Sequence, residues 1–325
     1  MFGAAVALGM LVAAVDATPT QREDCDATYN SEGRAQDFDK ALACYRAEEE
    51  WTMLAIMQLN GEGTPVDVAG ARASFLRLVA QKGEKNQDMD DFALDKIIKE
   101  READPRAKAR RVVFCRDVAM TTISVNVCDA QEQEHQAAKG DAHLQQLRAR
   151  LDPRMRAPFD RVVETFHAFV PAESTRAYQA YIDGSIRNQF ATSQEALVRS
   201  NFSKTLKLLT ASRGAAPPPL KRSWEAADRQ LNDLYKADVR GYVAQWEKAA
   251  AETAEPELKA KYTGWATDYR RDAHAAQHQW ILYRDAMAKL AAARRPAADD
   301  AEGIAKALVT EDRLRELHHG VGEGR

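Results

Sequence analysis

Few side chains in this sequence are spaced to do chemistry. His274 and His278 lie four residues apart, so on a helix they share a face, which is a spacing that metals use. There is no His-Glu-x-x-His arrangement and no obvious third ligand, so the pair reads as a half-exposed surface feature. His318-His319 sits in a Gly-rich stretch and reads as part of a frayed tail. Asp90-Asp91 and Asp299-Asp300 read as solvated loops, because paired-carboxylate hydrolysis needs a fixed separation. Gly61-x-Gly63 lacks the Lys-Ser or Lys-Thr of a phosphate loop. With no nucleophile–base pair or ligand triplet, the chain is read as a non-enzyme with no catalytic residue, metal ligand or cofactor.

The cysteines carry more information. Cys25, Cys44, Cys115 and Cys128 form no Cys-x-x-Cys pair, and four such residues in an exported chain read as two disulfides. Four cysteines allow three connectivities, and a module boundary near Asp104 favours Cys25 with Cys44 and Cys115 with Cys128. One straight helix would hold Cys115 and Cys128 about 19 Å apart, against the roughly 7 Å a disulfide allows, so the chain must break between them. Thr121-Thr122 supplies a helix N-cap at that break. The competing reading is four buried thiols in a cytosolic protein.

Those residues must be positioned by helices. The chain has 325 residues, 45% hydrophobic and 29% charged, with 16 Gly and 11 Pro. That composition excludes collagen, wholesale disorder and a multispan membrane protein, and the length suits two or three domains. The expected class is all-α. The net charge of −3 gives no global positive field for nucleic acid or an anionic membrane. The charge is unevenly spread: residues 18–104 sum to −8 and residues 105–325 to +6, an acidic module before a mildly basic part.

Residues 2–15 are an unbroken run of small and apolar side chains ending in Val15-Asp16-Ala17, the spacing that signal peptidase accepts. Residues 1–17 therefore read as a signal peptide, and the destination as the periplasm or the exterior. The run is too short to span a bilayer, so no stable membrane insertion is expected after cleavage. A buried N-terminal helix is the alternative.

Residues 18–104 form the first module. Within it, residues 50–83 read as helix, turn, helix, with Gly61 and Gly63 free to take positive φ and Asp67 placed to cap the second helix. Ala71 and Ala73 permit close helix contact, and Phe75 and Leu78 provide burial. Leu54-Ala55, Asn60-Gly61-Glu62-Gly63, Pro65, Asp67, Ala71, Phe75 and Gly83 resemble one Sel-one-like repeat, a short relative of the tetratricopeptide repeat. Residues 38–45 resemble the second helix of another. Gln58 stands where that family usually has an aromatic, and Ser74 where it has Trp. The resemblance implies a helix-turn-helix repeat that needs capping by a disulfide or a neighbour.

Residues 105–212 read as three or four helices broken at Pro153, Pro158 and Pro171. Pro217-Pro218-Pro219 marks a linker, residues 213–222, and Ser223 caps a new unit, residues 223–296. There Ala227, Leu231, Leu234, Tyr235, Tyr242 and Trp246 recur at helical spacing. Beyond Pro256 so do Tyr262, Trp265, Tyr269, Ala276, Trp280 and Tyr283, which predicts a helical hairpin with an aromatic seam. Residues 297–325 read as a flexible tail. Asp228, Leu231, Asn232 and Tyr235, followed by Gln277, Trp280, Ile281, Tyr283, Arg284 and Asp285, resemble the lysozyme inhibitor LprI-like family of bacterial envelope proteins. Where that family commonly has Cys after Arg-Asp, this chain has Met287 and Ala288. Phe114-Cys115, Thr121-Thr122, Cys128-Asp129-Ala130 and Leu144, Leu147, Leu151 resemble a diverged first copy.

Trp280, Ile281 and Arg284 occupy one side of a helix and either form a contact patch or lock the hairpin, with Arg284 pairing Asp228 or Asp285; the lock is the favoured reading. The LprI-like resemblance implies an exported inhibitor that binds a lysozyme and blocks its cleft. The alternative is a periplasmic helical adaptor or scaffold for other proteins, with no lysozyme link.

Overall fold

The computed structural model describes residues 25–26, 28–29, 37–104, 110–184, 186–210, 220–294 and 300–322. The expected signal peptide, residues 213–219 of the linker and Asp299 lie outside them. Among the described residues every regular element is helical, and no helix is long and apolar enough to cross a membrane. The chain divides into two compact units, Met1–Val125 and Asn126–Arg325.

In the first unit, helices α1 (Phe38–Ala47), α2 (Trp51–Asn60), α3 (Val68–Lys82) and α4 (Met89–Ala103) are followed by a π turn at Phe114–Val118. Aspartates start three of the four helices. Asp37 accepts from Lys40 N at 3.1 Å and Asp67 from Gly70 N at 2.8 Å. Asp88 and Asp91 make a reciprocal capping box on α4. Asp90-Asp91, expected in a solvated loop, therefore belongs to a helix start: Asp91 is buried and lies 2.9 Å from Lys82 Nζ. An Asp three residues after another Asp carries that signal. Ala55, Ile56 and Leu59 of α2 pack with Ala71, Phe75 and Leu78 of α3 and Leu94 and Ile98 of α4, while Ala73 is exposed. A second cluster joins Cys25, Ala41, Leu42 and Tyr45 to Leu54 and Met57. Cys25 is bonded to Cys44 with 5.5 Å between Cα atoms; Cys115 and Cys128 are disulfide-bonded as well.

The second unit contains most of α5 (Thr122–Arg150), then α6 (Pro153–Ala180), α7 (Arg187–Thr210), α8 (Trp224–Glu252), α9 (Pro256–Arg294) and α10 (Ala301–Gly322). Thr121 Oγ1 accepts from Ser124 N at 3.2 Å where α5 begins, and Ser223 caps α8. The long helix α9 packs along α6, α8 and α10.

Three features depart from the sequence reading. Pro158 and Pro171 lie inside one continuous α6. Each removes a backbone donor, but Phe159, Val162, Phe166, Phe169 and Val170 bury a full stripe of this helix, and that packing outweighs the lost hydrogen bonds. Residues 105–212 and 223–296 do not form separate hairpin units, because Phe159, Phe166, Phe202, Leu231, Trp280 and Tyr283 share one core. Residues 301–322 are not a tail: α10 buries Ala305, Val309, Leu314 and Leu317 against its neighbours. The alanines Ala288, Ala291, Ala301 and Ala305 let it approach α9 closely.

Candidate functional site

The ten motif residues of α8 and α9 come together, and half of them are turned inward. Leu231, Tyr235, Gln277, Trp280 and Tyr283 are buried. The Arg284 guanidinium lies over Trp224, 4.7 Å from its centroid, and over Trp280 at 5.2 Å. It also pairs with Asp228 at 3.3 Å and Asp285 at 2.9 Å. Asn232, exposed, donates to Asp228, and the Tyr235 hydroxyl lies 3.0 Å from His274 Nδ1. Tyr283 stacks on Phe169 of α6. Ile281 alone of the apolar set stays at the surface. His274 and His278 are both exposed, and among the described residues no group of three or more His, Cys, Asp or Glu is gathered as a metal site would be.

A buried ionic cluster, which no sequence pattern announced, joins five helices. Glu173 of α6 receives Arg176 at 2.8 Å and Arg313 of α10 at 2.7 Å, with Gln194 of α7 at 2.8 Å. Arg176 reaches Asp238 of α8 at 3.2 Å, and Tyr269 of α9 donates to the same carboxylate at 2.7 Å. Glu316 accepts from Asn201 at 3.0 Å, and Asp312 from Thr205 and Arg315. Burial opposes the charge on Glu173, but the two guanidiniums outweigh it and hold its carboxyl down at about 2. For Glu316 and Asp312 burial prevails and both are pushed up. Each carboxylate is occupied by donors of its own chain, so the cluster sets helix packing.

A cleft of about 720 Å³ opens in the second unit where α6 turns into α7 and α8 turns into α9. Tyr178, Ile182, Asp183 and Arg187 form one side, and Gln245, Trp246, Lys261, Tyr262 and Trp265 the other. Trp246 stands 5.0 Å from Trp265, edge to face, and Tyr262 lies 5.5 Å from Trp265. Lys261 Nζ sits 4.8 Å over the Trp265 ring. Arg187 spends its donors on the Tyr178 hydroxyl and on the carbonyls of Ile182 and Gly184. Trp246 is buried, and its indole Nε1, itself closed off from the surface, has no acceptor among the described residues. The cleft thus offers the half-buried rings of Tyr262 and Trp265 and, in Arg187 and Lys261, two cations with no carboxylate bound to them among the described residues. The aromatic half was legible as the far end of the seam; Tyr178, Asp183 and Arg187 were not, because they sit around a turn with only Gly184 to mark it.

The repeat-like turn of the first unit is built tightly. Gly61 and Gly63 take φ of 72° and 68°, and the Asn60 amide makes a two-way bridge to the Val112 backbone at 2.8 Å each way. Glu62, buried, receives Tyr29 at 2.9 Å and Arg111 at 2.7 Å. Gln58 and Ser74 face each other at 2.8 Å, so two polar groups replace the expected aromatic pair together. A Cβ on Gly63 would lie 2.5 Å from the Phe38 carbonyl oxygen, in addition to its positive φ. Gly63→Ala is expected to cost the first unit about 1–3 kcal/mol, read as an earlier unfolding transition in urea.

A scan against protein-family models, a search of curated proteins and a search of solved structures each return no match to this chain.

Proposed function

We propose that this chain is a non-enzymatic helical adaptor of the bacterial envelope that holds a protein partner at the aromatic cleft of its second unit. The observation that carries this reading is the contrast between the two aromatic sets. The motif around Trp280 and Arg284 is consumed inside the unit, whereas the cleft at Trp265 leaves the half-buried rings of Tyr262 and Trp265 and the Lys261 ammonium facing open space. Binding hot spots have that composition: aromatic and cationic anchors in a concave site. Arg187 and Lys261 against Asp183 give a net positive lining, which fits a partner segment carrying an apolar side chain beside a carboxylate. Export is supported by the apolar N-terminal run and by the bonding of all four cysteines. The α2–α3 pair fits one Sel-one-like repeat preceded by half of another, and α8–α9 fits an LprI-like hairpin drawn into a larger core.

The lysozyme-inhibitor reading keeps little of the Trp280, Ile281 and Arg284 patch: Trp280 and the neighbouring Gln277 are buried, Arg284 is paired with Asp228 and Asp285, and Ile281 stays exposed. A turbidity assay of lysozyme on cell walls is therefore expected to run at the same rate with and without the mature, oxidised protein. Protection of the walls would restore the inhibitor reading. The adaptor itself is tested by a photocrosslinking residue at Tyr262, compared with one at the exposed position Lys236. A defined protein adduct formed only from Tyr262 is expected; equal labelling from both positions would count against the cleft.

A further inference from the structure

The geometry points to a second ligand site, in the first unit, for an aliphatic monocarboxylate bound with its head at Arg101. This site stands apart from the cleft and does not depend on the adaptor reading. Arg101 lies near the end of α4 and is only 3% exposed. Its guanidinium donates to the carbonyls of Leu59 and Arg110, and no carboxylate pairs with it among the described residues. Two of its five N–H groups are engaged, which leaves a buried cation with donors to spare. Removing such a charge from water is costly, and carbonyl dipoles offset that less completely than a counter-ion does. Burial accordingly holds the guanidinium below its ordinary range.

Arg101 lines a cavity of about 490 Å³, a size that suits a small molecule. Ala93, Ile97, Val112 and Met120 supply apolar wall. Two acids also line the cavity, Glu100 and Asp117; Asp117 is already taken by Arg110, by Arg116 at 2.8 Å and by the Val113 amide at 2.9 Å, so it does not serve Arg101. Lys96 is exposed and lies 4.0 Å from Glu100, a contact too loose to neutralise it firmly. One buried cation, an apolar wall and a positive balance select an anion with a hydrocarbon tail over a sugar, a nucleotide or a metal ion.

The test titrates the full, oxidised protein with dodecanoate below its micellar range, with dodecan-1-ol as the uncharged probe of equal length. One-to-one binding of dodecanoate is expected, with the alcohol weaker by at least about tenfold, a difference of about 1.4 kcal/mol. Ile97→Trp, which fills the wall, and Lys96→Glu, an exposed charge reversal that leaves the core untouched, should each weaken dodecanoate while circular dichroism stays as in the wild type. Absence of binding, equal binding of the alcohol, or affinity unchanged in both variants would overturn the assignment.

Discussion

Replacing Glu173 by Ala is expected to destabilise the second unit by about 3–5 kcal/mol, because it removes the carboxylate that two buried guanidiniums share and leaves Arg176 with Asp238 and Arg313 with only the longer pair to Glu316 at 3.4 Å. Arg176 and Arg313 both point at this carboxylate, and Gln194 loses an acceptor with it. Replacing the pair by apolar groups is a different experiment, since it removes the charges together with their partner. The pH dependence follows from the two directions of shift. Glu173 is held down at about 2 in the folded chain, so its contribution is present above the ordinary glutamate range and is lost as pH falls toward that value. Glu316 and Asp312 are pushed up, so theirs is present in acid and is lost as pH rises through the folded values. Glu316→Gln keeps an acceptor for Asn201 and removes the charge. It is expected to raise the melting temperature near about pH 8 and to matter little near about pH 4. Melting curves of both variants across that range check the signs: a Glu316→Gln protein less stable than the wild type at the higher pH would mean that the pair with Arg313 at 3.4 Å outweighs the cost of burying the charge.

Trp280→Ala is the second large effect, at about 3–5 kcal/mol. The indole is 1% exposed, and its face carries Arg284, which in turn ties Asp228 of α8 to α9. Truncation opens a cavity in the shared core and leaves Arg284 only Trp224 to stack on. Because α9 packs along α6, α8 and α10, loss of helix signal should spread through the second unit rather than stay within one hairpin. Thermal melts followed by circular dichroism measure this. A Trp280→Ala protein with wild-type stability and altered partner binding would turn the motif back into a contact surface.

The sequence showed what is local. Period 3.6 gave the helices, Asp67 and Ser223 their caps, Gly61 and Gly63 the turn, and Arg284 its partners Asp228 and Asp285. It missed what depends on packing. The alternation of Ala301, Ala305, Val309 and Leu317 is weak as a hydrophobic signal, and only the matching alanines of α9 make α10 a core helix. Pro158 and Pro171 read as breaks because the burial that overrides them comes from helices far along the chain. No local pattern sets Glu173, Asp238, Arg313 and Glu316 apart from other charged residues, and their convergence exists only in three dimensions. For the cleft, the aromatic seam was visible but its open end was not, since a seam has the same spacing whether its last rings are covered or bare.

The adaptor reading is tested most directly by the affinity of the partner crosslinked at Tyr262 for the wild-type protein and for Lys261→Glu. Lys261 is exposed and supports no core contact, so the variant should melt as the wild type does. Reversing its charge beside Trp265 should weaken a carboxylate-bearing partner by at least about tenfold, and more so at low salt. Equal affinity of the two proteins, with both folded, would contradict the assignment of the cleft as the binding site.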